Sequence, residues 1–345
     1  MEYYIGLDVS LELTAVCVVN GDGEIIAEAK VLSEPDALVA HLQGLEIDID
    51  RVGLEAGPLS QWLHAGLISA GFDAVLLETR HVKAALSAMT VKTDRRDARG
   101  IAQLLRMGWY RPVHVKTLPA QEVRAMLAAR KQLLGKLVDV ELSIRGLLRS
   151  FGLKVGKVTR KAFEGRIREL AQGQSSLELI ADAMLLARNE LLTQFTRLHK
   201  SILQIARKDN VCARLMSIPG VGALTALTFR TAIDDPTRIA KSRDVGPLFG
   251  LTPRRYQSGE TDVMGRISKA GDVMVRTALY EAANSMLTRS KRMSALKAWV
   301  LDVARRRGHK RALVALARKL AVVMHRMWMD GTTFLWSRPK RLAVA

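Results

Sequence analysis

The chain has 345 residues, enough for sizeable cores in two or three domains, and a net charge of +19 that is unevenly spread. Residues 1–110 hold 9 Lys+Arg against 16 Asp+Glu, a net of −7, which leaves +26 on residues 111–345. A basic surface of that size points to nucleic acid, because neutralised phosphates release condensed counterions, and no uncharged run reaches the roughly 18 residues that span a bilayer. Cys17 and Cys212 are too few for a disulfide framework and have no metal-ligand neighbours. Both read as core thiols of a cytoplasmic protein. The acidic start, MEYYIGLDVS, enters a strand directly, so no secretory leader is expected.

Tyr3 to Leu7, Thr14 to Val19 and Glu24 to Val31 read as three strands, the last two joined by the turn Asn20-Gly21-Asp22-Gly23. A helix from Pro35 to Leu45, a strand from Arg51 to Glu55, a helix from Ser60 to Ala70 and a strand from Ala74 to Leu77 follow. Strands first and then alternation predict an α/β sheet. Asp8 ends the first strand and Glu55 the fourth, where Ala56-Gly57-Pro58 breaks it. Functional groups of such sheets collect at strand ends. The start YIGLDVS also suits an actin-like ATPase or sugar kinase. Against that, Val9 to Leu13 contains no glycine to let backbone amides approach a phosphate.

The stretch VKTDRRDARG, Val91 to Gly100, places Asp94 and Asp97 on one face of a helix whose apolar positions are Ala98, Ile101, Leu104 and Leu105. Two carboxylates one turn apart repel, by about 1 kcal/mol in water and several in a drier site, which favours a divalent cation. The plainer reading is a solvated face, with Arg95, Arg96 and Arg99 neutralising both acids. Together with Asp8 and Glu55, the pair makes four carboxylates in an order that suits a two-metal phosphodiester site.

After Trp109 and Pro112 the chain becomes helical. Met126, Arg130, Leu133, Leu137, Val140, Ile144, Leu147 and Phe151 step by four and three, and so do Leu177, Ala181, Met184, Arg188, Leu191, Phe195, Leu198, Ile202 and Ile205. Two long coiled-coil helices are predicted, each with one arginine in its seam. The linker Gly152 to Ser176 carries Lys154, Lys157, Arg160, Lys161, Arg166 and Arg168, so the helical hairpin has a basic tip for gripping nucleic acid. It serves either as a dimerisation element or as a self-contained pair. In Ser217-Ile218-Pro219-Gly220-Val221-Gly222 the chain resembles a helix-hairpin-helix, whose Gly220 and Gly222 would offer backbone amides to a DNA phosphate. Gly246 to Asp272 reads as a glycine-rich basic loop with Ser258 among Arg254, Arg255, Arg266 and Lys269. Such a serine either donates a hydrogen bond to phosphate or, held near cations, acts as a nucleophile; Ser268 lies in a similar setting. Helices follow at Val275 to Leu287, Ser294 to Arg306 and Ala312 to Met329, with basic Arg305 to Arg311 facing nucleic acid or solvent.

IGLDVS, GLEAG, KTDRRDA, the coiled-coil middle, SIPGVG and GLTPRRYQSGETDVMGRISKAG together resemble the DEDD transposases of the insertion-sequence one-ten family, over nearly the whole chain. The resemblance implies an RNase H-like (RuvC-like) mixed-sheet domain over residues 1–115, a coiled-coil hairpin over 120–207 and a mostly helical transposase domain over 208–345. It further implies that Asp8, Glu55, Asp94 and Asp97 bind Mg²⁺ or Mn²⁺ and that Ser258 forms a phosphoserine link to a DNA end. Donor and target DNA would be the partners of a dimer or tetramer in a bacterial or archaeal nucleoid. A structured guide (bridge) RNA encoded by the element would supply the specificity, which accords with a basic chain lacking a base-reading module. A junction-resolving nuclease that uses water, and a non-catalytic DNA-binding scaffold, are the alternatives.

Overall fold

The computed structural model describes residues 2–88 and 91–337, which form two compact units divided between Lys116 and Thr117. In the first, β1 (Tyr3–Val9), β2 (Leu13–Asn20) and β3 (Ile25–Leu32) form an antiparallel meander. After α1 (Pro35–Gln43), β4 (Ile49–Glu55) adds parallel to β1; after α2 (Ser60–Ser69), β5 (Ala74–Leu77) adds parallel to β4. The strand order is β3-β2-β1-β4-β5, the mixed five-stranded sheet expected of an RNase H-like, RuvC-like domain. Asn20 sets the β2–β3 turn, its Oδ1 accepting from the amides of Asp22 at 3.1 Å and Glu24 at 2.9 Å.

Period-two alternation sends Ile5, Leu7, Val52 and Leu54 to one face, where they are buried with Leu38 and Leu42 of α1 and Leu63 and Leu67 of α2. Gly6 and Cys17 face the other side, under Ala98 and Ala102 of α4 (Asp94–Arg106). A short helix, α3 (Thr79–Leu86), which the sequence reading did not include, precedes α4 and packs against it through Val82 and Leu86.

The second unit opens with α5 (Leu118–Ser150), α6 (Phe163–Ala171) and α7 (Ser175–Lys208). Arg130 of α5 bonds His199 of α7 at 3.0 Å, and Glu141 of α5 accepts from Arg188 of α7 at 2.9 Å, which makes the two long helices antiparallel. The second predicted seam holds at Leu177, Ala181, Arg188 and Ile202. The first shifts: Leu147 and Phe151 are exposed and Leu148 is buried, because Glu141 turns inward toward Arg188 and carries the stripe along Leu137, Ile144 and Leu148. The basic linker is not unstructured. Phe163, Ile167 and Ala171 of α6 close a small core with Ile144, Leu148, Leu177 and Ala181 at the tip of the hairpin.

The rest is α8 (Asn210–Leu215), α9 (Ala223–Ile233), α10 (Val245–Leu248), β6 (Pro253–Ser258), β7 (Thr261–Ile267), α11 (Val273–Thr288), α12 (Ala295–Arg307) and α13 (His309–Met329). α13 runs through the core, with Leu313, Leu316, Ala317, Leu320, Ala321 and Met324 buried. Asp272 caps α11, accepting from the amides of Met274 and Val275, and pairs with Arg124 of α5. The stretch read as a glycine-rich loop is an antiparallel hairpin, β6–β7, whose alternation is masked because almost every residue in it is exposed. Cys17 and Cys212 are both buried. Among the described residues no helix is long and apolar enough to cross a membrane.

Candidate active site of the first unit

Leu7 of β1 pairs with Leu54 of the parallel β4, so the next residues, Asp8 and Glu55, stand level at the same end of the sheet and on the same face. That is the face covered by α4. Gly6 brings α4 down onto the sheet, since a Cβ there would lie 2.1 Å from the Ala98 carbonyl oxygen. The first turn of α4 carries Asp94 and Asp97, where the helix dipole favours negative charge, and Thr93 caps it by accepting from the amide of Arg96. Asp8, Glu55, Asp94 and Asp97 thus line one cleft of about 510 Å³, with Ser10, Gly57, Ser60 and Lys92.

The acids act on one another. Burial first, then the charges of Asp97, Asp94 and Glu55, push the Asp8 carboxyl up to about 6. Burial, opposed by a Thr79 hydrogen bond and aided by Asp97, raises Glu55. Lys92, which sequence reasoning missed although it precedes Asp94 by two residues, lies 3.6 Å from Asp97 and is itself well exposed. The loop after β4 is fixed by Ser60, whose Oγ accepts from the Gly57 amide at 3.0 Å. Among the described residues no three His, Cys, Asp or Glu side chains already close into a cation cage. The donor set nevertheless fits a hard divalent ion: it is all carboxylate, and its mutual repulsion falls when a cation binds.

Ser258 belongs to the second unit, with the acids in the first. It pairs with Thr261 across the two-residue turn Gly259-Glu260 at the exposed tip of β6–β7. Ser268 is part-buried near the hairpin base, its Oγ accepting from the Ala270 amide at 3.3 Å. Of the basic residues read as nucleic-acid contacts, Lys154, Lys157, Lys161, Arg254, Arg266 and Lys269 are exposed. Arg255 is held by Asp262 at 2.7 Å, and Arg160 lies 3.6 Å from Glu141. Gly220 has a packing reason for its identity: it sits at φ +87°, and a Cβ would come within 2.4 Å of the Ala282 carbonyl of α11. Gly222 caps α9 with open space around it.

Residues 5–152 match the family model DEDD_Tnp_IS110, described as "Transposase", and residues 212–299 match Transposase_20, described as "Transposase IS116/IS110/IS902 family". The transposase for insertion sequence element IS1111A of Coxiella burnetii is 30% identical over 330 residues, 93% of this chain and 88% of that relative. The chain belongs to the IS110 family of transposases. Other members resemble it more patchily. A putative transposase, y4pF/y4sB, of Sinorhizobium fredii is 29% identical over 70% of this chain and 64% of its own. A probable family 20 transposase of Pseudomonas aeruginosa is 28% identical over 68% and 71%. The solved structure of T. thermophilus RuvC in complex with a Holliday junction substrate aligns with 33% of this transposase and 100% of its own chain, at 15% identity and a TM-score of 0.27. The strand order of the first unit, β3-β2-β1-β4-β5, is that of an RNase H-like, RuvC-like sheet. As an IS110 transposase with a DEDD domain, the protein is a DNA-cleaving enzyme.

Proposed function

We propose that this transposase cuts and rejoins DNA strands with Asp8, Glu55, Asp94 and Asp97 holding Mg²⁺ or Mn²⁺ and Ser258 attacking the phosphodiester. The observation that carries the reading is the convergence of the four carboxylates on one cleft in a member of a transposase family. A bound divalent ion would neutralise charge on the phosphate oxygens. Asp8 and Glu55 are fixed by strand register, and Asp94 and Asp97 by the cap of α4, so the ligands are positioned before substrate arrives. Ser258 Oγ forms a bond to phosphorus as the bond to the 3′ oxygen breaks; the hydroxyl proton leaves and the 3′ oxygen takes one up. That 3′-OH then attacks a phosphoserine on a partner strand. Phosphodiester energy is conserved throughout, and no ATP is consumed.

The DNA is gripped through backbone by the exposed cations of the hairpin tip, Lys154, Lys157 and Lys161, and by Arg254, Arg266 and Lys269 around β6–β7. Specificity comes from a structured bridge RNA, as the family resemblance implies, and the +26 charge of residues 111–345 supports an RNA as well as a DNA partner. A homo-oligomer is supported by apolar residues left exposed on the long helices, among them Leu142, Leu179 and Leu186. The working compartment is the bacterial cytoplasm, at the nucleoid.

The test is to incubate the protein with end-labelled element-junction DNA, Mg²⁺ and RNA transcribed from the element's flanks, and to compare denaturing gels before and after protease. A protease-sensitive, slowly migrating band that disappears in Ser258→Ala and in EDTA supports the serine mechanism. Cleavage retained in Ser258→Ala, with no covalent band, assigns the attack to water. Absence of any cleavage by the unmutated protein, with metal-independent binding, favours a scaffold.

A further inference from the structure

On the proposed reaction the acid cleft admits a phosphodiester, itself an anion, yet residues 1–110 hold 16 acids against 9 bases. Most of those bases are engaged elsewhere. Arg95 and Arg99, although carried by the same helix as Asp94 and Asp97, both bond to Glu28 of β3, at 2.6 Å from Arg95 Nε and 2.8 Å from Arg99 Nη2. Arg96 donates to the Val91 carbonyl oxygen at 3.4 Å, Arg106 to Gln103 and the Gly21 carbonyl oxygen, and Arg51 to Asp73 and Tyr110. Among the described residues that line the cleft, Lys92 is the one lysine or arginine.

The chain around Lys92 sets its place. Thr93 has extended backbone and caps α4, accepting from the Arg96 amide, so Lys92 stands just outside the helix start that presents Asp94 and Asp97. Its Nζ lies 3.6 Å from Asp97 Oδ2, beyond hydrogen-bond length, and its side chain is 83% exposed against 18% for Asp97. The ammonium is therefore held by charge, on a flexible four-carbon stem, and not by a fixed bond. Its charge also reaches the strand ends. Burial and the other three acids raise the Asp8 carboxyl, and Lys92 is the charge that opposes them; it opposes the rise of Glu55 too. A divalent ion among the carboxylates would bring twice that charge at shorter range and release the ammonium from Asp97 without removing it from the cleft. The anion it then faces is the phosphate, to which a lysine offers three donors on a compact point charge.

We propose that Lys92 is the phosphate-binding residue of the cleft: it balances Asp97 in the metal-free protein and, once a divalent ion takes that carboxylate, turns to a non-bridging oxygen of the phosphate to be cut. This rests on the reading of the four acids as metal ligands. Lys92 contributes no ligand to the ion. It supplies one movable charge that serves the empty and the loaded cleft in turn.

Two binding measurements on the full-length protein test this. The first follows Mn²⁺ binding to the metal-free protein by electron paramagnetic resonance at pH 7.5, with no DNA present. Lys92→Gln should tighten it about 3-fold, within the range of an exposed ion pair, because a rival for Asp97 is gone. The second follows binding of element-junction DNA by fluorescence anisotropy in saturating Mn²⁺, with RNA transcribed from the element's flanks and with Ser258→Ala in every protein to spare the DNA from the serine. The probe is that DNA with a neutral methylphosphonate at the phosphate the unmutated protein cuts. The methylphosphonate should weaken binding by a factor about 10 times larger with Lys92 present than in Lys92→Gln, the lower end for a hydrogen bond between charged groups. A lysine that merely steadies its loop predicts weaker Mn²⁺ binding in Lys92→Gln and the same methylphosphonate penalty in both proteins. Either result overturns the proposal, and so does unchanged Mn²⁺ binding in Lys92→Gln. Mn²⁺ binding by the unmutated protein that Asp8→Asn and Asp97→Asn leave untouched overturns both this proposal and the metal reading beneath it. Failure of the Lys92 arms alone leaves the metal reading standing.

Discussion

Asp8 and Glu55 stand side by side on parallel strands, one residue beyond the paired Leu7 and Leu54, and among the described residues neither has an arginine partner. The consequence is electrostatic. The Asp8 carboxyl, at 3.8 in an unfolded chain and about 6 in the folded one, binds its proton more tightly when the protein folds. Its stabilising contribution is therefore complete below about 4 and is lost as pH rises through about 6. In EDTA, Asp8→Asn should stabilise the protein at pH 7.5, on the order of 2 kcal/mol after allowance for solvent, and have little effect at pH 4. Thermal unfolding at the two pH values checks this. Metal binding by the unmutated protein should weaken as pH falls below about 6, since a protonated Asp8 is no ligand.

Gly6 sets the height of α4 above the sheet. A methyl group there would meet the Ala98 carbonyl at 2.1 Å and the Ala102 amide nitrogen at 2.5 Å, both backbone atoms of a buried helix that cannot swing aside. Gly6→Ala should destabilise the protein by about 3 kcal/mol, at the upper end for overpacking, and should lower Mn²⁺ affinity by lifting Asp94 and Asp97 away from Asp8. Gly21→Ala, with nothing within 4 Å of the added carbon, is the control and should stay within about 0.5 kcal/mol. Denaturant melts and metal titration read the two effects.

Much of this was legible in the sequence because the signals were local. Strand alternation and the Asn20-Gly21-Asp22-Gly23 turn fix the meander, and the break at Ala56-Gly57-Pro58 marks where Glu55 must stand. The meeting of the four acids follows once strand ends and helix start are placed. What escaped depends on register and on tertiary partners. No motif marks Glu28 as the partner of Arg95 and Arg99; the pairing appears only when β3 is aligned with β2 and α4 is laid across both. The β6–β7 hairpin carries no buried face, so it left no alternation to read. Helix α6 hides in a basic stretch because its three buried residues, Phe163, Ile167 and Ala171, are outnumbered by charge. The slip from Leu147 to Leu148 in the first seam comes from one buried ion pair that an apolar count cannot see.

That ion pair makes its own prediction. Arg188 is 3% exposed, donates to Glu141 and to the Arg160 carbonyl oxygen, and lies over the Phe163 ring at 5.3 Å. Arg188→Met strands a part-buried Glu141 whose remaining cation, Arg160, is 3.6 Å away. The loss should be about 3 kcal/mol in the tip of the hairpin, seen as faster amide exchange in α6 and the adjoining ends of α5 and α7. Arg188→Met/Glu141→Leu should regain most of it, because the buried charge goes with its partner.

The proposed reaction draws its acids and Ser258 from different compact units, each built around its own core, so on that proposal a complete site need not come from one chain. Asp8→Ala and Ser258→Ala should each abolish strand transfer while leaving the fold intact, Ser258 being exposed at a hairpin tip. Mixing the two inactive proteins distinguishes the arrangements. If each site takes its acids from one protomer and its serine from another, a mixed dimer has one intact site of two. Random mixing of equal amounts then restores about one quarter of the sites. If each site is built within one chain, no mixture contains an intact site and activity stays at zero. The quantity to measure is strand transfer against mixing ratio: a maximum at equal amounts establishes shared sites, and a flat line at zero, with exchange of protomers verified by mass, establishes sites within one chain.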